Sequence, residues 1–374
     1  MKRRYLFILL FFSILPDVHC QLFQDDYKNR QDSVPGEGKL FLDLQGSTWF
    51  YNNEYFNPFY RGYTLIGAYF QPSLIYQSNP KLKFSAGANL RRNYGDNLKT
   101  TVNPLFSIEY WPVDNFSVLM GSFNGGENHG LHEVLFSFEN HLTDIVENGI
   151  LINYKNARLT SETWLNWESF IFPGDTIQEQ FTAGSSNRIK LLESASWSIT
   201  LPVNILAHHA GGQINISDKP VETLINISEG LKISRVIKAS FLNNIFTELT
   251  VFHSTGDFIP SPGWAFSAKT GAQLTHFEVN AEYFRANDFI SFAGNPLFRF
   301  REATGNPVTP FRYGGTLEML NFKAGFRQKM SRNSFLFLRF EGYYFTGTSK
   351  LDYSYSLHFQ VRDFLRLSHL KYSD

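Results

Sequence analysis

One pattern constrains this chain more than any other: apolar and polar residues alternate with a period of two, in segment after segment. In FEVNAEYF, residues 277–284, Phe277, Val279, Ala281 and Tyr283 are apolar, while Glu278, Asn280 and Glu282 are not. WAFSAKTGAQL sets Trp264, Phe266, Ala268, Ala272 and Leu274 against Ser267, Lys269 and Gln273. LKFSAGANLR sets Leu82, Phe84, Ala86, Ala88 and Leu90 against Lys83, Ser85, Asn89 and Arg91. LDYSYSLHFQV does the same with Tyr353, Tyr355, Leu357, Phe359 and Val361 against Asp352, Ser354, Ser356, His358 and Gln360. A helix repeats every 3.6 residues and cannot sort these side chains onto two faces, whereas a strand can.

Further alternating segments are 38–48, 62–76, 103–112, 115–124, 148–156, 158–169, 180–191, 196–210, 222–233, 243–254, 315–328 and 333–346. With the four above they make about sixteen strands, or fourteen or eighteen if neighbouring segments merge or split. Each run lasts about ten residues, the length a tilted strand needs to cross a bilayer. Every second connection is tight, as in SNPK (78–81), PVDN (112–115) and MSRN (330–333); that between strands ten and eleven is looser. Those between are mostly longer: 49–61, 93–102, 125–147, 170–179, 211–221, 255–262 and 289–314. Transmembrane barrels have this asymmetry, with short periplasmic turns and long external loops. A soluble barrel of sixteen strands with its apolar face inward would enclose a lumen too wide for side chains to fill. Turned outward into lipid, the same face needs no core, and closure removes the sheet edges that lipid cannot tolerate. The expected fold is an all-β transmembrane antiparallel β-barrel over residues 38–368. Trp49, Trp111, Trp264, Tyr63, Tyr110, Tyr154, Tyr343 and Tyr344 fall near strand ends, where amphipathic rings favour the membrane interface.

The first residues, MKRRYLFILLFFSILPDVHCQLFQ, combine a basic start with the ten-residue apolar run Leu6 to Leu15. That reads as a secretory signal over 1–20 rather than a membrane helix. Cleavage after Cys20 leaves Gln21 as the mature start; lipidation at Cys20 is disfavoured by the bulky His19 and charged Asp17. Cleavage takes three basic residues and one acid from a balanced 34 and 34, leaving a formal charge of −2. No basic stripe exists for nucleic acid, and the one cysteine goes with the leader, so this is not a disulfide-stapled module. Residues 21–37 read as a short periplasmic N-terminal segment and 369–374 as a periplasmic tail. The expected location is the outer membrane of a Gram-negative cell, in contact with outer-membrane lipid and lipopolysaccharide. Another outer-membrane or periplasmic protein is a further candidate partner.

The leader ending before a Gln start, together with lysine-, asparagine- and aromatic-rich strands, resembles outer-membrane barrel proteins of Bacteroidota. The resemblance is one of style over the whole mature chain. It implies the barrel and its location, and transfers no functional residue.

The expected inner face carries Lys83, Arg91, Glu109, Glu162, Glu168, Lys232, Glu248, Lys269, Glu278, Glu282, Lys323, Arg327, Arg339, Glu341, His358 and Arg362. The signs are mixed, unlike the one-sign rings of strongly selective pores. Pairing of Glu278 and Glu282 with Lys323 and Arg327 across neighbouring strands would satisfy these charges. A porin-like passive channel for small solutes is the first reading, requiring a long loop folded inward to narrow the pore. The alternative is a non-transport subunit of an assembly, secretion or surface-anchoring complex, whose long loops or outer wall bind a partner, with a plugged lumen and apolar patches on the loops; a third is a barrel enzyme modifying lipid or lipopolysaccharide.

For the enzyme reading, His208 and His209 at the outer end of strand nine would need Ser185 or Ser186 on the neighbouring strand within reach as an acyl-transfer pair; the plain expectation is chance neighbours or rim hydrogen bonds. In loop 125–147, Glu127, His129, His132 and Glu133 are followed by Glu139, His141, Asp144 and Glu147. Such residues suit a divalent cation, but no HExxH spacing occurs. The plain expectation is a loop packing through Leu135, Phe136, Phe138 and Leu142, without metal or cofactor. The 289–314 loop offers Phe298, Phe300 and Phe311 with Arg299, Arg301 and Arg312 for a glycan, for a lipid head group, or simply for packing.

Overall fold

The computed structural model describes residues 38–369, except 58–59, 96–99, 125–127, 213, 238–240, 258, 260, 300, 304–310 and 314. The leader, the 21–37 segment, Glu127, Phe300 and residues 370–374 of the expected tail therefore lie outside the described residues. Sixteen strands close into one antiparallel barrel. In chain order they begin β1 (Lys39–Glu54), β2 (Thr64–Asn79), β3 (Leu82–Asn93), β4 (Thr101–Val113) and β5 (Phe116–Asn124). Next come β6 (Val146–Lys155), β7 (Leu159–Ser169), β8 (Glu179–Glu193), β9 (Trp197–Gly211) and β10 (Glu222–Val236). They are followed by β11 (Leu242–Gly256), β12 (Gly263–Leu274) and β13 (Phe277–Asn287). A small hairpin, β14 (Arg301–Ala303) with β15 (Phe311–Tyr313), stands apart from the wall. The wall resumes with β16 (Thr316–Ser331), β17 (Ser334–Phe345) and β18 (Lys350–His369), and β18 closes on β1.

Alternation decides which way each side chain faces. On β16 to β18, Leu320, Phe322, Leu338, Tyr355 and Phe359 are exposed on the outer wall. Between them Asn321, Glu341, Asp352, Ser354 and Ser356 are buried inside. That is the inverse of a soluble core and suits a lipid surround. Among the described residues no helix is long and apolar enough to cross a membrane. The even-numbered connections are short turns, and most odd-numbered ones are long. Hereafter the two rims are the short-turn end and the long-loop end.

Two aromatic expectations fail. Trp49 and Tyr343 are buried on the inner face, at 2% and 0% exposure, instead of at a membrane interface. Trp49 shares its side of β1 with Asp43, Gln45, Ser47 and Tyr51, all buried inward. The pleat overrides a ring's preference for the interface, since one strand cannot turn a single residue round.

Candidate functional site

The lumen is filled across its long-loop half by two loops. The first, between β5 and β6, dips inward, turns at Asn128–Gly130 and forms a single helical turn, α1 (Asn140–Thr143), before joining β6. His129 (φ 49°) and Gly130 (φ 72°) are consecutively left-handed, a conformation costing a non-glycine residue about 1–2 kcal/mol. The turn aims the imidazole at the wall. Its Nδ1 lies 2.7 Å from Glu162 Oε1 and its Nε2 2.8 Å from Glu147 Oε1. The ring stacks on Trp164 with centroids 3.7 Å apart and planes 2° from parallel. Gly184 on the next strand makes room: a Cβ there would collide with the Trp164 ring. Burial opposes charge on His129, but the two carboxylates outweigh it and lift the imidazole to about 9. His129 is a clamped cation, with neither ring nitrogen available as a base at neutral pH.

The next residues dock on other walls. His132 Nε2 lies 3.1 Å from Glu282 Oε1, while burial and then Lys269 push its imidazole below the ordinary value. Glu133 pairs with Lys323, sits 3.3 Å from Arg339 Nη2, and accepts from Asn295 Nδ2 at 2.9 Å. Lys323 and Arg339 are themselves held by Glu341 at 2.9 and 2.6 Å. Glu139 accepts from the Tyr63 phenol, and burial raises its carboxyl to about 7. His141 is buried and tilted against Phe138.

The second loop, 288–299, lies against the first. Ser137 N donates to Ala293 O at 2.8 Å, and Asn295 N to Glu133 O at 3.0 Å. Asn226 Nδ2 on the wall donates to Ile290 O at 2.7 Å. Leu131, Val134, Leu135, Leu297 and Phe298 join wall residues Trp164, Leu206, Phe252, Phe284 and Tyr343 in one apolar cluster. Phe138, Leu142 and Ile145 join Trp49, Tyr51, Tyr69 and Phe337 in another. Each fully buried Leu or Phe contributes about 1.5–3 kcal/mol, and Phe298 meets Phe284 edge-on at 4.9 Å. The plug is a small folded core.

Two cavities flank it. The one towards the short-turn end, about 470 Å³, runs from His132 and Glu133 along Arg188, Lys232, Glu248, Lys269 and Glu278. Lys232, Glu248, Lys269 and Glu282 are direct cross-strand neighbours, so charges alternate in sign around the wall. The other cavity, about 270 Å³ at the long-loop end, is lined by Asn140, Asp144, Glu147, Asn166, Glu168, Thr182, His208 and Phe292 among others. There the Thr182 hydroxyl donates to Glu168 Oε1 at 2.5 Å. His208 Nδ1 lies 3.4 Å from Thr182 Oγ1 and 3.9 Å from Glu168 Oε2. Phe292 of the second loop stacks on the imidazole at 4.7 Å. Asn166 Oδ1 accepts from Asn148 N at 2.9 Å, which leaves its amide N–H groups for another partner. Burial, then Glu147 and Glu168, push the Asp144 carboxyl up, with Arg91 opposing. A hydroxyl, an imidazole and a carboxylate within reach of one another are the parts of an acyl-transfer centre.

The residues singled out by sequence are thus dispersed. His129, His132, Glu133 and Glu139 each bond a different part of the wall or its rim, His141 packs on Phe138 within the loop, and Asp144 and Glu147 reach the mouth cavity. Among the described residues no group of three metal-ligating side chains converges. Lys83 pairs with Glu109 at 2.5 Å inside β3 and β4, and Arg327 lies over the Phe335 and Phe337 rings. The expected pairing of Lys323 with Glu278 or Glu282 is replaced by its pairing with Glu133 and Glu341. Glu282 instead takes Ser267, Asn321 and His132. The plug brings a competing carboxylate that strand adjacency cannot reveal. Ser185 and Ser186 are not the partners of His208. Ser185 bonds Thr163 on the outer face at 3.0 Å, and Ser186 faces Asn204 one turn lower. Register places Thr182 opposite His208, so Thr182 was missed by four residues. His209 points outward to Thr223 and Phe181.

Comparison with known proteins agrees with this architecture. OprD of Pseudomonas aeruginosa superposes with a TM-score of 0.53 at 10% identity, covering 89% of this chain and 98% of that one. A BenF-like porin from Pseudomonas fluorescens Pf-5 gives 0.53 at 8% identity, covering 88% and 100%. The loop L8 deletion mutant of OmpT from Vibrio cholerae gives 0.52 at 10%, covering 88% and 100%. These likenesses concern the fold, that of outer-membrane barrels. No curated protein sequence matches the chain. A family model does match, over residues 28–370 and hence over every barrel strand: the chain belongs to the lipid A 3'-O-deacylase-type family.

Proposed function

We propose that this protein is an outer-membrane hydrolase that removes an ester-linked acyl chain from a lipid A-type glycolipid at the mouth cavity. The long-loop end faces outward and the termini lie in the periplasm. The observation carrying this reading is the Thr182–His208–Glu168 grouping above a lumen filled by a folded plug. The leader-like first twenty residues and the loop-length asymmetry support the orientation, and the family supports the substrate class. In the reaction Thr182 Oγ attacks the acyl carbonyl carbon and its proton passes to Glu168. The oxyanion takes hydrogen bonds from Asn166, as in other preorganised acyl-transfer sites. The departing sugar oxygen recovers that proton by way of His208. Water, deprotonated by the same carboxylate, then frees the fatty acid and restores the hydroxyl.

Mass spectrometry of lipid A incubated with the purified protein tests this. One acyl chain should be lost, and Thr182→Ala or Glu168→Gln should slow that loss by about a hundredfold or more. A second reading, a solute channel, is favoured by the polar 470 Å³ cavity and by the likeness to a BenF-like porin. Unchanged lipid A together with steady conductance in a planar bilayer would move the assignment there.

A further inference from the structure

The loops joining β7 to β8 and β9 to β10 meet at the rim whose strand ends carry the mouth-cavity residues Glu168, Thr182 and His208. Gly174 N donates to Ile214 O at 2.9 Å, and Ile216 N to Asp175 O at 2.8 Å. Gln178 Nε2 donates to Pro220 O at 2.7 Å, and within the first loop Phe172 N donates to Asp175 Oδ2 at 2.7 Å. Backbone and side chains alike bind the two loops into one flap. Its surface carries Phe170, Phe172, Ile177, Ile214, Ile216 and Val221, between 48% and 67% exposed. Six exposed large apolar residues on two short loops form the kind of patch that soluble surfaces avoid.

The patch continues into the outer wall. Directly below it Trp167 stacks on Phe181 at 5.4 Å, and Phe181 meets His209 at 5.1 Å, all on the lipid-facing side. Thr182 and His208 are the next residues along the same two strands and face the cavity. One pair of strand ends thus presents an aromatic band to lipid on one side and the hydroxyl and imidazole on the other.

We infer that this flap beds in the acyl chains of the outer leaflet and guides a lipid chain over the β7–β9 rim into the mouth cavity. The continuity of the patch with the lipid-facing wall favours acyl chains over a protein partner. The inference rests on the deacylase reading for its second half only.

Nitroxide accessibility tests the first half. In a Cys20→Ser chain, labels at Phe172→Cys and Ile216→Cys are compared in lipid A-containing phosphatidylcholine vesicles. Phe322→Cys on the outer wall and Thr348→Cys at a loop tip serve as references. Both flap labels should collide with oxygen more than with a water-soluble nickel chelate, as at position 322. Chelate access like that at 348 overturns the proposal, and so does shielding from both reagents, which would mean a protein interface. For the second half, Phe172→Ser with Ile216→Ser should cut deacylation of vesicle-borne lipid A about tenfold or more, the equivalent of one well-buried apolar side chain. Hydrolysis of a short, water-soluble ester should stay within about twofold. Equal loss on both substrates overturns guidance. A parent chain inactive on both overturns the deacylase reading alone, and the nitroxide result still decides whether the flap is bedded in lipid.

Discussion

The two halves of the lumen are built from the same strands but follow different rules. Towards the short turns the inner wall is polar, with Lys232, Glu248 and Lys269 alternating in sign along a 470 Å³ cavity. Towards the long loops a broad part of the inner wall is apolar, with Leu206, Phe252, Phe284, Met319 and Tyr343 all essentially unexposed. Only the second half carries a plug, because only there does the wall offer loops an apolar surface to bury. The seam between the halves is where Glu133 meets Lys323 and Arg339. The Lys232–Glu248 pair of the open half is part-exposed to solvent, whereas the buried charges at the seam depend on one another.

That contrast can be broken most severely at the seam. Glu133→Ala leaves Lys323 and Arg339 to share Glu341, and removing one partner of a buried pair costs about 3–5 kcal/mol. The expected outcome is a lower unfolding temperature and the appearance of conductance in a planar bilayer as the plug loosens. Leu135→Ala, within the plug core, should cost about 3 kcal/mol and be seen as the same downward shift with smaller conductance.

A milder perturbation uses pH. The His129 imidazole is held at about 9, above the ordinary histidine value. Its stabilisation is therefore complete below the unfolded value near 6.5 and is lost as pH rises through 9. Glu139, raised by burial to about 7, acts in the same direction, weakening docking as pH rises from the ordinary glutamate value through 7. The fluorescence difference between the parent chain and Trp164→Phe should titrate near pH 9, since the imidazolium stacks on that indole. A midpoint near 6.5 would show that the clamp is absent. The smallest effect belongs to the open half: Lys232→Ala removes a part-exposed pair with Glu248 at 3.8 Å and should cost less than about 1 kcal/mol, within the scatter of a melting curve.

Much of the barrel was legible because its signal is repeated. Alternation recurs in every wall strand, and the loop-length asymmetry is independent of it, so errors in one segment do not propagate. The site was less legible. His208 was visible as a rim histidine, but its partner depends on register. Thr182 rather than Ser186 faces it because β8 and β9 are offset by a turn length that composition does not reveal. Trp49 and Tyr343 went astray for a related reason: an aromatic ring near a strand end looks the same whether it faces lipid or a plug.

By itself the sequence determined the wall: about sixteen strands, their inward and outward faces, and which rim bears the long loops; closure fixed the number at sixteen. Side-chain period and turn length are local properties, and local order along the chain expresses them directly. The tertiary structure alone decided that HGLHEVLFSF, residues 129–138 of the 125–147 loop, packs inside the barrel as a core element. It also decided that His129 is a clamped cation, and that the chemistry-bearing groups meet at Thr182, His208 and Glu168. Those outcomes depend on which residues approach across the lumen. Such approaches arise only once closure has set the diameter and the loops have found an apolar surface to bury.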